Sequence, residues 1–182
     1  MKETNTQFPA EEVTLPSKGL LYSKDSLLSK GVIKMKYMTA REEDILTNQN
    51  LIQNGTVIDR LLESLIITDV KYEDILLGDK NAILIAARVL GYGSDYQFNY
   101  KGENLEVDLS TLEDKVIDES LIKEGKNEFT FKLPTAKKEI TFKLLTHGDE
   151  IKIQQELKGL KKLNKNSSND LTTRMKHTIT AV

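Results

Sequence analysis

The longest acidic run in the chain, Glu42, Glu43 and Asp44, is the first place where side chains could do chemistry. Neighbouring carboxylates can serve as general acid and general base. Thr39 lies three residues before Glu42, which is the spacing of a capping box at the start of a helix. Consecutive residues on a helix point about 100° apart, so these carboxylates do not converge. The pattern therefore favours a helix N-terminus, where acidic side chains interact well with the helix dipole.

Cysteine and histidine, which supply most metal ligands and many nucleophiles and bases, are scarce. The chain has no cysteine, which excludes disulfides, thiol nucleophiles and cysteine metal sites. Its two histidines, His147 and His177, are too few for a histidine-based metal site. His147 lies beside no candidate nucleophile, and the sequence identifies no positioned partner that would make His177 a general base. We expect no catalytic residue, no bound metal and no cofactor.

Two further patterns could bind phosphate or nucleic acid. Gly91-Tyr92-Gly93 lacks the G-x-x-x-x-G-K-[ST] spacing of a phosphate loop and follows a predicted helix, so Gly91 is interpreted as a helix C-cap. The lysines of residues 158–165 could touch nucleic acid or an acidic partner, or form a solvated helix end. The net charge of −2 and the pI of about 5.8 argue against nucleic acid as the principal partner.

The 182 residues, of which 38% are hydrophobic, suffice for one compact domain or two small ones. We expect a flexible polar tail over residues 1–11 and a single compact domain over 12–182, with a subdivision allowed near 110–127. The N-terminus lacks an apolar signal-peptide core, and no window approaches the roughly 20 apolar residues that span a bilayer. These features predict a soluble cytoplasmic protein with no membrane partner. We also expect no small-molecule substrate.

Hydrophobic periodicity predicts an α+β fold with short N-terminal strands, a helical centre, two β-hairpins and C-terminal helices. Ile33, Met35 and Tyr37 alternate with lysines, as expected of a half-buried strand. Helices are predicted to begin near Thr39, Asn54, Gly78, His147 and Asp170, the last with Leu171, Met175 and Ile179 on one face.

Alternating aromatic and aliphatic residues predict both hairpins. The first is expected to pair Tyr96, Phe98 and Tyr100 with Leu105, Val107 and Leu109. The second is expected to pair Phe129, Phe131 and Leu133 with Ile140, Phe142 and Leu144. A charged residue in place of Phe98 should destabilise the protein by a few kcal/mol, because it would be an unpaired buried charge.

The apolar turn of residues 15–22 has two interpretations. Pro16-Ser17-Lys18-Gly19 is typical turn chemistry, and large apolar residues that need a covering surface follow it at once. They either pack on their own domain or anchor a partner, since leucine and tyrosine in a rigid turn lose little entropy on docking. The candidate partner interface comprises Leu15, Pro16, Leu20, Leu21, Tyr22, Tyr37, Glu43 and Asp44. Leu21 and Tyr22 are the candidate anchors.

Four segments, in this order, carry a resemblance to a known family: residues 15–22, 35–47, 78–93 and 129–146, the first reading Leu-Pro-Ser-Lys-Gly-Leu-Leu-Tyr. Together they resemble the baseplate hub family of T4-type contractile-tailed bacteriophages. Some relatives carry a C-x-x-C pair in the hairpin that corresponds to 96–109, which implies a zinc-knuckle-like tip. Here the tip is Lys101-Gly102-Glu103-Asn104, so that metal site is not carried over. We also expect relatives to continue beyond Val182.

The resemblance implies a structural or assembly protein of the phage tail baseplate hub that acts by protein–protein binding rather than as an enzyme. Its partners would be other baseplate hub or tail proteins, and it would lie in the host cytoplasm during assembly or in the virion tail baseplate. A hub subunit and a transient assembly factor both remain open. The alternative is a small metal-independent hydrolase whose carboxylates are brought together only by the fold. A concave pocket with convergent polar groups would indicate the hydrolase.

Overall fold

The structure, a computed structural model, describes residues 9–116, 118–163 and 169–182. Helices alternate with small antiparallel sheets, which confirms the α+β class. Most of the predicted N-terminal tail lies outside the described residues, and the first strand begins at Ala10 rather than Glu12. None of the helices in the described ranges is long and apolar enough to cross a membrane.

The backbone contacts divide the chain into two units. Unit 1 comprises the residues up to Pro16, Gly31–Asp69 and Asn81–Val116. Unit 2 comprises Ser17–Lys30, Val70–Lys80 and the chain after Val116. The prediction of a single domain is not tested by this division and stays a prediction.

Unit 1 begins with two antiparallel strands, β1 (Ala10–Thr14) and β2 (Val32–Lys36). Ile33 and Met35 of β2 are fully buried while Lys34 between them is exposed, as the alternation predicts. Three helices follow: α1 (Ala40–Thr47), α2 (Gln49–Asn54) and α3 (Val57–Leu65). Asn48 ends α1 and caps α2, because its side chain accepts hydrogen bonds from two amides of the first turn of α2. Leu61, Leu62 and Leu65 form the buried face of α3.

Helix α4 (Leu77–Tyr92) corrects the prediction that Gly91 is a C-cap. Gly91 lies inside the helix, and the chain leaves the helix at Gly93, whose φ is +81°. A Cβ added at Gly91 would collide with the Met38 side chain. Gly91 is thus a packing position rather than a turn, and a larger residue there would need the flexible end of the Met38 side chain to shift.

The first hairpin, β3 (Asp95–Tyr100) and β4 (Glu103–Asp108), also belongs to unit 1. Its register pairs Tyr96 with Val107, Phe98 with Leu105 and Tyr100 with Glu103, which confirms the predicted hairpin. The prediction for Leu109 is wrong, because this residue lies in a 3-10 turn, Leu109–Thr111, beyond the paired residues.

The second hairpin, β5 (Phe129–Lys132) and β6 (Glu139–Phe142), belongs to unit 2 and pairs Phe129 with Phe142 and Phe131 with Ile140, as predicted. The prediction for Leu133 and Leu144 is wrong, because both lie beyond the paired residues. Two helices follow, α5 (His147–Leu163) and α6 (Asp170–Thr178). The sequence predicts Ile179 to be helical, and this prediction is wrong. Ile179 begins β7 (Ile179–Ala181), which pairs with β6, because the β-branched run at the end of α6 fits an extended chain beside an open strand edge.

Candidate interaction surface

The apolar turn of residues 15–22 faces inward. Leu15, Leu21 and Tyr22 are buried, with Tyr22 only 7% exposed. Pro16 and Leu20 are half-buried. Leu21 and Tyr22 are therefore not available as exposed anchors, which corrects the partner-anchoring interpretation in favour of packing on the chain itself.

A buried carboxylate explains why the turn faces inward. Asp79, in the first turn of α4, accepts hydrogen bonds from the Ser17 amide at 2.9 Å, the Ser17 hydroxyl at 2.6 Å and the Tyr22 hydroxyl at 2.6 Å. The Leu76 amide donates to the Tyr22 oxygen at 2.9 Å. Burial, together with the charge and hydrogen bond of Asp79, raises the pKa of the Tyr22 phenol. A buried charge is tolerated only when it is hydrogen-bonded in this way, so Ser17 and Tyr22 are part of the core of unit 2.

A second buried carboxylate holds together the elements of unit 1. Glu42 is fully buried and forms the predicted capping box with Thr39. It also accepts hydrogen bonds from Lys36 Nζ at 2.8 Å and Ser64 Oγ at 2.6 Å, so it joins β2, α1 and α3. Burial alone would raise the pKa of Glu42, but the hydrogen bonds from Lys36, Ser64 and Thr39 outweigh it and lower the pKa to about 2.

This anchoring turns the other two acidic residues outward. Glu43 and Asp44 are exposed, as is Tyr37, whose hydroxyl donates to Glu11 Oε1 at 2.7 Å. Glu43 Oε1 accepts a hydrogen bond from the Tyr92 hydroxyl at 2.7 Å, and this bond raises the pKa of Tyr92. The predicted interface residue Glu43 is thus linked to the end of α4, which the sequence alone did not indicate.

Arg88 extends this contact into the first hairpin. Its guanidinium lies 5.1 Å from the Tyr92 ring centroid and 5.7 Å from that of Tyr96. The Arg88 side chain also donates to the carbonyl oxygens of Gly93 and Asp95, which fixes the corner between α4 and β3. Tyr96 in turn stacks on Phe98, with ring centroids 5.7 Å apart.

We call this row of side chains the aromatic surface; it consists of Glu43, Arg88, Tyr92, Tyr96, Phe98, Tyr100 and Leu105. Tyr92, Tyr96 and Tyr100 are 50%, 42% and 56% exposed, so much of each ring faces solvent. Phe98 is half-buried, which corrects the expectation that a charge at this position would be an unpaired buried charge. The sequence signal for this surface was the alternation of tyrosine and phenylalanine in β3, which predicted one apolar face but not whether it was covered.

Each histidine contacts side chains of unit 2. His147, at the start of α5, is buried with its ring 4.6 Å from that of Tyr72 and its Nδ1 3.0 Å from Lys80 Nζ. His177 Nε2 lies 3.0 Å from Glu156. Within the described ranges, no group of three histidine or acidic side chains is arranged to hold a metal ion.

A surface depression on the first hairpin is lined by Gln97, Phe98, Asn99, Asn104, Leu105 and Glu106. Glu106 is the one carboxylate among these lining residues, so the depression does not bring carboxylates together. Comparisons with protein-family models, with curated proteins and with solved structures found no match to this chain.

Proposed function

We propose that this chain is a structural or assembly protein of a contractile phage tail baseplate hub, and that it acts by binding other hub or tail proteins. The four segments that resemble the T4-type hub family support the family, and the aromatic surface supports the mode of action. The observation that carries the proposal is the exposed row of Tyr92, Tyr96 and Tyr100, held in place by Arg88.

Tyrosine and arginine are the residue types that most often dominate protein–protein binding energy. A tyrosine ring supplies a large apolar area and a polar hydroxyl, with few rotatable bonds to immobilise. Arg88 already fixes two of these rings, so less conformational entropy is lost when a partner binds. A two-stranded hairpin is also marginally stable by itself, so a cover on its apolar face would stabilise it.

No observation favours the hydrolase alternative. The buried carboxylates of Glu42, Asp79 and Asp149 are each held by hydrogen bonds from nearby side chains, and they lie in separate networks. Such carboxylates neutralise and orient neighbouring groups. The proposed setting is the host cytoplasm during assembly, with residence in the tail baseplate as the alternative to release.

The test is a phage assembly assay with matched variants. Deleting the gene from the phage that carries it should leave infected cells without complete baseplates. The double variant Tyr96→Ser, Tyr100→Ser should fail to restore them, whereas Ile52→Ser, an equally exposed apolar residue on α2, should restore them fully. Complete, infectious particles without the chain would overturn the proposal. Comparing its copy number in assembly intermediates and in mature particles separates a resident subunit from a transient factor.

A further inference from the structure

The outer edge of β4 is an unpaired strand edge. Among the described residues, β4 pairs with β3 and with no other strand. The turn between them has two residues, Lys101 with φ +52° and Gly102 with φ +90°, which is the pattern of a type I′ turn. Such a turn makes Tyr100 and Glu103 a hydrogen-bonded pair. Because bonded and non-bonded pairs alternate, the backbone groups of Asn104 and Glu106 point away from β3.

The side chains along this edge also alternate. Leu105 and Val107 continue the aromatic surface on one face, whereas Asn104, Glu106 and Asp108 lie on the other. Glu106 is exposed and forms no salt bridge with a described residue. A strand laid beside β4 would thus meet apolar groups on one face and a free carboxylate on the other.

The net charge of unit 1 indicates which kind of partner would bind the β4 edge. Unit 1 carries 8 Lys and Arg against 15 Asp and Glu, a net charge of −7. A second copy of β4 beside the first would place carboxylates opposite carboxylates, which is unfavourable. A basic segment would instead be attracted and would pair with Glu106.

We infer that the β4 edge binds an extended segment of a basic partner protein, which adds to the hairpin as a third strand with alternating apolar and basic side chains. The apolar residues of the segment extend the aromatic surface beside Leu105 and Val107, and its basic residues face Glu106. Its backbone forms hydrogen bonds with the outward-facing N–H and C=O groups of Asn104 and Glu106, which is recognition by strand addition. The inference rests on the proposed function for the existence of a partner, but its test uses a defined peptide.

The test is titration of the isotope-labelled full chain with the peptide Val-Lys-Val-Lys-Phe-Lys-Val, followed by amide NMR. The amides of Asn104 and Glu106 should shift most. Methylation of the peptide nitrogens on the edge that faces β4 removes the hydrogen-bond donors but keeps the side chains. This methylation should abolish binding. Equal binding of the methylated peptide, the largest shifts on Gln97 and Asn99 of β3, or no binding at millimolar peptide would each overturn the inference.

Charge reversal supplies the matched control. Glu106→Lys should weaken binding of the lysine peptide by about fivefold and strengthen binding of a peptide with glutamate in place of lysine. Asp114→Lys makes the same change of charge in unit 1 outside the strand, and it should have a much smaller effect. If both variants act equally, the attraction comes from the overall charge, and strand addition at β4 is wrong. Failure of this test leaves the assembly assay to judge the proposed function separately.

Discussion

The two hairpins have the same local design and different surroundings. Each carries aromatic residues on one face, and each contains a stacked pair, Tyr96 on Phe98 in the first and Phe129 on Phe142 in the second, with ring centroids 5.7 and 5.4 Å apart. The second hairpin gains a third strand, β7, beside β6. The first remains two-stranded within the described residues. The chain therefore supplies a third strand to the second aromatic hairpin, and the described residues supply none to the first.

The units that contain the hairpins differ in charge as well. Unit 1 is acidic, whereas unit 2 carries 18 Lys and Arg against 13 Asp and Glu, a net charge of +5. The near-neutral total of −2 conceals this difference. Average composition thus argued correctly against a strongly basic chain, but it gave no sign that one part would be strongly acidic.

The comparison between the two hairpins would not hold if the first hairpin were exposed only because unit 1 is poorly packed. Glu42→Gln tests the packing, because it removes the charge that pairs with Lys36 and should destabilise the protein by about 3 kcal/mol at pH 7. Glu43→Gln, a change at the exposed neighbour, should cost less than about 1 kcal/mol. Urea unfolding followed by circular dichroism measures both, and equal losses would contradict the prediction.

The same pair of variants predicts a pH dependence. The folded pKa of Glu42 is about 2, below its ordinary value of 4.5, so the carboxylate stabilises the fold above pH 4.5. That contribution is lost as the pH falls from 4.5 through about 2, where the folded protein also takes up the proton. Glu42→Gln should show a weaker loss of stability over this range than the wild type. Parallel curves for the two proteins would contradict the assignment.

Matched charges in the two hairpins sharpen the comparison. Phe142→Asp places a carboxylate in the central strand of a three-stranded sheet, beside Phe129, and should destabilise by about 2–3 kcal/mol. Both phenylalanines are half-buried, but Phe98→Asp should cost about 1 kcal/mol, because its hairpin has no third strand among the described residues. Thermal unfolding of both variants decides the order, and a larger loss at Phe98 would show that the first hairpin is covered.

Amide hydrogen exchange distinguishes the two hairpins without any substitution. The amides of β6 lie between two strands, whereas those of Asn104 and Glu106 face outward from β4. We expect β6 to exchange at least about tenfold more slowly than these two amides. Strong protection of Asn104 and Glu106 in the isolated protein would mean that the edge of β4 is already occupied.

Local sequence signals predicted the elements that depend on near neighbours. The Thr39 capping box, the alternation in β2 and both hairpins follow from residues within a few positions of each other. The distant residues that decide other features were not identified from the sequence. Tyr22 faces inward because of Asp79, 57 residues away, and Glu42 is buried because Ser64, 22 residues away, completes its hydrogen bonds. Ile179 fits a helical pattern equally well, and only the open edge of β6 makes it a strand.

The burial of Tyr22 also gives the protein an optical label. The chain contains no tryptophan and six tyrosines, so its near-ultraviolet absorbance reports mainly on phenols. Because the pKa of Tyr22 is raised by burial and by Asp79, this phenol should stay protonated through the alkaline range in which free tyrosine ionises. Its late phenolate absorbance would mark the opening of the 15–22 turn. Asp79→Asn should advance that signal to lower pH, which makes the turn observable without an attached dye.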